Sequence, residues 1–88
     1  MSRPMTNEEL DKIQSLCDRA SPGPWSAWIE GRDHTSGSSF VQTGAEDIEM
    51  SGATEADYDF IAAARNDVPR LIEEVRRLRA VVEKGQAP

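Results

Sequence analysis

The sequence predicts a small α+β domain, and three observations carry that prediction. A capped helix start lies close to the N-terminus. The middle third is rich in aromatic, β-branched and turn residues. Apolar side chains then return at helical spacing from Tyr58 onward. The chain has 88 residues, which fits one domain, and a domain of this size hides only about two thirds of the surface its unfolded chain exposes. The expected organisation is a single domain over residues 1–84, with a frayed tail over residues 85–88.

The first helix has a legible start. Thr6 and Glu9 have the spacing of a capping box, in which each side chain accepts the other residue's backbone N–H, and Met5 and Leu10 have that of a hydrophobic staple. Leu10, Ile13, Leu16, Cys17 and Ala20 follow at helical intervals. Pro22 and Pro24 cannot continue the helix, and Gly23 between them permits a sharp turn. Cys17 is the only cysteine, so no disulfide framework exists, and its place on the apolar stripe reads as a buried structural thiol.

The middle reads as three short strands: "WSAWIE" at residues 25–30, "SFVQT" at 39–43 and "DIEM" at 47–50. With a long connection over residues 31–38 and "TGAE" as a hairpin turn, they predict a three-stranded antiparallel meander. Thr54 is a good N-cap, with Asp57 in the first turn of the helix that follows. Pro69 interrupts that helix, and Asp67 can cap a new one with Pro69 in its first turn. The C-terminal helical segment is therefore expected to break between Asn66 and Pro69. Beyond the break Val68, Leu71, Val75, Leu78 and Val82 form a heptad seam about two heptads long. The first and last helices are expected to cover one face of the sheet.

The net charge is −6 and unevenly spread. Residues 1–64 carry four basic and twelve acidic side chains, and residues 65–88 carry six basic and four acidic. Nucleic-acid binding rests on neutralised phosphates, so an acidic chain argues against it. No secretory leader and no apolar run near the ~20 residues that span a bilayer are evident. With a lone cysteine, these features lead to the expectation of a cytoplasmic protein without membrane partners. One histidine among scattered Asp33, Asp47 and Glu49 lacks metal-ligand spacing, so neither a metal nor another cofactor is expected. Ser36, Ser38, Ser39, His34 and Asp33 have no arrangement that fixes a catalytic triad, and no nucleophile elbow is present. The chain reads as a non-enzyme.

Two stretches could hold a ligand. In "GRDHTSGSSF", residues 31–40, extended backbone would send Arg32 and His34 one way and Asp33 the other. An arginine fork beside an imidazole suits phosphate or carboxylate, and Ser39 adds a hydroxyl. The competing structural reading is a polar connection held by Asp33 bonds to its own backbone. Trp25 and Trp28 fall on opposite faces of a regular strand, so one can fill the core while the other offers a stacking platform. In "FIAAARNDVP", residues 60–69, three alanines permit close packing, and Arg65 pairs with a carboxylate or reaches the same pocket as Arg32.

The chain also resembles a known group. "RASPGPW" after an opening helix, a polar β region and then "DYDFIAAARNDVPRLIEEVRRLR" look like the Ead-like family of small phage and prophage early-region proteins. The matching residues are Ala20, Pro22, Gly23 and Trp25; Asp57, Phe60, Ile61, Ala62 and Ala64; and Leu71, Glu74, Val75 and Leu78. The "EGRDHTSGSSFVQTG" middle departs from the family pattern. The resemblance implies an accessory role on a mobile element, with no catalytic residues to carry over.

Together these readings predict a binder of a small anionic, nucleotide-like ligand through Trp25, Trp28, Arg32, Asp33, His34, Ser39 and Arg65, fit to sequester a host nucleotide signal. The alternative is a protein–protein adaptor that uses the seam of the last helix. In either case the small core and apolar seam lead to the expectation of a homo-oligomer.

Overall fold

A computed structural model describes residues 3–86 and has an α+β architecture. Its elements run in the order α1 (Asn7–Arg19), β1 (Ser26–Trp28), β2 (Phe40–Gln42) and α2 (Glu55–Gln86). Both helices begin with the same device. Thr6 Oγ1 accepts the Glu9 N–H at 3.1 Å, while the Glu9 carboxylate accepts the Thr6 N–H at 3.1 Å. At α2, Thr54 Oγ1 accepts the Asp57 N–H at 3.1 Å, and Asp57 accepts the Thr54 N–H at 2.9 Å. The helix continues through residues 85 and 86; residues 87 and 88 of the expected frayed tail lie outside the described residues.

The expected three-stranded meander is not formed. β1 and β2 pair antiparallel, with Ser26 opposite Gln42, Ala27 opposite Val41 and Trp28 opposite Phe40. The segment around Ile48 joins β2 through a single bridge, in which Val41 and Ile48 exchange N–H···O bonds of 2.8 and 2.9 Å. Side-chain hydroxyls occupy the ladder on both sides of that bridge. The next bond would link Ser39 and Met50, but the Tyr58 hydroxyl lies between them, accepting the Met50 N–H at 3.0 Å and lying 3.2 Å from the Ser39 carbonyl. On the other side Thr43 Oγ1 donates to the Glu46 carbonyl at 2.8 Å and accepts the Ala45 N–H at 2.9 Å. A third strand therefore has no ladder to extend.

The expected break in the last helix is also absent. α2 runs without interruption through Pro69. Proline in a helix interior removes one backbone bond and costs about 3 kcal/mol. Packing on both sides opposes that cost. Tyr58 and Ala62 are buried before the proline, and Ile72 after it. Asp67 is consequently an interior residue rather than a cap, paired with Arg70 one turn on at 3.4 Å.

These buried positions belong to two separate contacts. Ile29, Val41, Tyr58 and Ala62 form the core between sheet and α2, with Trp25, Ala27, Ile48, Met50 and Ala53 packed around it. Leu10 is the buried residue of α1, and α1 packs on α2 without reaching the strands. The expectation that both helices cover the sheet fails for a geometric reason: Ala62 and Ile72 are ten residues apart, about 15 Å along the axis. Polar bonds secure this second contact. Arg76 reaches Asp11 at 2.8 Å, and Arg79 donates to Asn7 Oδ1 at 2.9 Å and to the Met5 carbonyl. Cys17 is only half-buried, not sealed in a core.

The resulting shape is long, with extents of 62 × 29 × 18 Å and a radius of gyration of 17.2 Å. A compact chain of this length would have a radius of about 12 Å. The excess is the length of α2. Thr6→Ala should cost about 1 kcal/mol through the lost cap, lowering the melting temperature by roughly 4–8 °C. Calorimetry of the two proteins checks this.

Candidate functional site

Residues 31–37 turn rather than run extended into β2. Gly31 adopts φ 86°, a conformation open to glycine and strained for most other residues. The N–H groups of Arg32 and Asp33 fold back onto the Ile29 carbonyl at 3.0 and 2.8 Å. Asp33 Oδ2 accepts the Ile29 N–H at 2.8 Å, which is the backbone-holding role the sequence left open for it. Because the chain turns, Arg32 does not align with His34. Its guanidinium grips Asp33 at 2.9 Å and forks onto both oxygens of Asp59, each at 2.9 Å.

The electrostatics follow that geometry. The Arg32 guanidinium holds the Asp59 and Asp33 carboxyls below the usual carboxylate range, helped at Asp33 by the Ile29 N–H. The two carboxylates in turn raise the pKa of Arg32, Asp59 most strongly. His34 bonds through Nδ1 to the Ser36 carbonyl at 2.7 Å and tilts against the Phe40 ring. Its Nε2 is buried without a partner among the described residues. Ser39 Oγ accepts the Glu30 N–H at 3.1 Å. Ser39 also borders a depression of about 390 Å³ with Glu49 and Tyr58, which Arg32, His34 and Arg65 do not line.

Trp25 and Arg65 lie elsewhere, and Trp28 is linked to the turn through Phe40, the ring that His34 also meets. Trp25 packs on the core, while Trp28 is on the outer face, stacked on Phe40 at 6.4 Å and donating to Gln42 at 3.1 Å. Arg65 lies over the Trp25 ring at 6.0 Å and donates to the Ser21 carbonyl at 3.3 Å, so its partner is neither a carboxylate nor the surroundings of Arg32. The Trp25 indole N–H donates to the same carbonyl at 3.0 Å. Beside it, Asn66 accepts the Trp25 N–H and donates to the Trp25 carbonyl, both at 2.8 Å. The nominated residues are thus divided between two places: Arg32, Asp33 and His34 in one turn with Ser39 and Trp28 beside it, and Trp25 with Arg65 at another.

A different surface is more conspicuous. Phe60, Leu71, Leu78 and Val82 are 72, 60, 48 and 55 % exposed. Their intervals of eleven, seven and four residues each return the helix to within about 40° of one direction. They form an apolar stripe along α2, about 100° round the helix from buried Ile72. The heptad seam read from the sequence is thereby divided: Val68 and Val75 are half-buried, whereas Leu71, Leu78 and Val82 face out. At its far end the stripe borders a groove of about 390 Å³ lined by Asn7, Val75, Leu78, Arg79, Val82 and Glu83.

Sequence reasoning missed Asp59, Asn66 and the outward role of Phe60. Asn66 had a signal: a poor helix former one turn after Ala62 on the packed face. Asp59 had none, because its partner is 27 residues away. Among the described residues no helix is long and apolar enough to cross a membrane. Comparison with protein-family models, curated proteins and solved structures finds no match.

Asn66→Ala would leave the half-buried N–H and carbonyl of Trp25 unpaired. At about 1–3 kcal/mol for each such group, chemical denaturation should show a loss of roughly 2–6 kcal/mol, and Asn66→Leu, which restores volume, should not recover it.

The carboxyls beside Arg32 set a pH dependence. A carboxyl held low in the folded chain stabilises it above the ordinary carboxylate value, about 4, and that contribution is lost as pH falls through the depressed one. The urea midpoint of Arg32→Ala should therefore lie below that of the unaltered protein at neutral pH, and the gap should close as pH falls below about 4.

Proposed function

We propose that this protein is a non-enzymatic interaction module that offers the outward stripe of α2 to a protein partner. The observation that carries this is the exposure of Phe60, Leu71, Leu78 and Val82 on one line of a 32-residue helix. A helix that presents large apolar side chains along one side is a recurrent recognition element. The resemblance to Ead-like proteins adds a setting to this proposal, an accessory role on a mobile element.

The anionic-ligand reading has one observation in its favour, the unpartnered Nε2 of His34. Against it, an anion approaching Arg32 meets two carboxylates already bound there. A thermal-shift screen of nucleotides would favour that reading if a compound raised the melting temperature of the unaltered protein and not of Arg32→Ala.

The stripe is tested by placing a photo-cross-linking amino acid at Leu71 or at Leu78 in cells producing the full chain, with exposed Glu73 on another side of α2 as control. Covalent products should form at both stripe positions and be several-fold weaker at residue 73. No product at either stripe position, or equal yield at all three, overturns the proposal.

A further inference from the structure

The stripe has a symmetry that identifies its occupant. We propose that a second copy of this chain covers it, with the two α2 helices antiparallel and Leu71 close to the two-fold axis; the inference rests on the stripe being a binding surface. Phe60 and Val82 stand eleven residues to either side of Leu71. Reversing one helix about Leu71 therefore sets Phe60 of one copy on Val82 of the other, Ala64 on Leu78, and Leu71 on itself. Large side chains meet smaller ones, so the two surfaces interdigitate as packed interiors require. A parallel pair would set Phe60 on Phe60 and Ala64 on Ala64, crowding one level and leaving a gap at the next.

Charge selects the same direction. In residues 55–69, Glu55, Asp57, Asp59 and Asp67 against Arg65 leave −3; in residues 70–86, Arg70, Arg76, Arg77, Arg79 and Lys84 against Glu73, Glu74 and Glu83 leave +2. Antiparallel helices bring the acidic half of each copy over the basic half of the other, whereas parallel helices oppose like to like. Asp67 then lies within a turn of Arg77 of the second copy. Asp59, which comes level with Glu83 of the second copy but well round from the stripe, is held by Arg32 at 2.9 Å. The helix dipoles also oppose favourably in this arrangement.

Length is sufficient. Residues 60–82 span about 33 Å of helix, roughly three heptads of contact. The sheet packs on another side of α2, more than 100° round from the centre of the stripe, and α1 approaches the stripe at Asn7, which lines the groove beside Leu78 and Val82.

The experiment uses the full chain with Cys17→Ser, so that introduced thiols are the only ones. Sedimentation velocity at about 100 µM should report twice the 9.7 kDa chain mass, falling toward one at high dilution by mass action. Under mild oxidation, Ala64→Cys mixed with Leu78→Cys should give a disulfide-linked pair in at least several-fold greater yield than Leu78→Cys alone. Leu71→Cys should link to itself. Circular dichroism establishes that each variant is folded, and Leu71→Glu, folded but monomeric, completes the set. A monomer at 100 µM overturns the proposal, and so does a dimer in which Leu78→Cys links to itself as readily as to Ala64→Cys. A monomer whose photo-cross-linker at Leu71 captures a different protein removes the dimer and keeps the binding surface; a monomer that captures nothing removes both.

Discussion

The carboxamide of Asn66 holds the two halves of this protein together. It pairs with both the N–H and the carbonyl of Trp25, each at 2.8 Å, and so does for that residue what a neighbouring strand would otherwise do. Trp25 immediately precedes β1, where no ladder partner is at hand, and a half-buried backbone group left unpaired is expensive. The same turn is tied at two more points. Arg65 and the Trp25 indole both donate to the Ser21 carbonyl, and Gly44 donates to the Pro22 carbonyl at 2.7 Å. A Cβ on Gly44 would come within 2.8 Å of Pro22, so the approach needs glycine. Through one proline-rich turn, α2, β1 and the end of β2 acquire fixed relative positions.

The sheet is too small to organise anything alone. Two strands of three residues are marginal in water. Tyr58 and Thr43 put hydroxyls where a third strand would form its bonds, and this exchanges length for attachment. The Tyr58 hydroxyl fastens residues 39 and 50 directly to the second turn of α2. Its ring is buried with Ile29 and Val41 in the core. One side chain thus serves as core filler and as an edge cap, which leaves little sheet edge open to pair with another chain.

What could be read from the sequence was what is local. Thr6 with Glu9 and Thr54 with Asp57 signal helix starts because capping joins residues three apart, and both boxes form. The β1–β2 pairing was visible in its aromatic and β-branched residues. The third strand, the break at Pro69 and the shared pocket of Arg32 and Arg65 depended on partners far along the chain. Tyr58 displaces the ladder of residues 39 and 50, burial at 58, 62 and 72 carries the helix past the proline, and Asp59 takes the fork of Arg32. The apolar spacing from Val68 to Val82 was real, but periodicity alone does not say which members face inward. Ile72, one residue from Leu71, is the buried one, on the side where Arg76 and Arg79 meet α1.

This division separates two sides of α2. Tyr58, Ala62, Asn66 and Ile72 look toward the sheet and α1, and the fold rests on them. Phe60, Leu71, Leu78 and Val82 lie on another side of the same helix and leave those contacts untouched. A rigid helix transmits position without bending, so the stripe is presented in the register that the core sets. Pro69 sits between the two buried contacts and on the inner side, where its missing N–H disturbs the core-facing ladder rather than the stripe. The same continuity that the proline was expected to end is what keeps Phe60 and Val82 on one line. If the helix broke between Asn66 and Pro69, Phe60 would belong to a separate body from Leu71, and no single surface would join them.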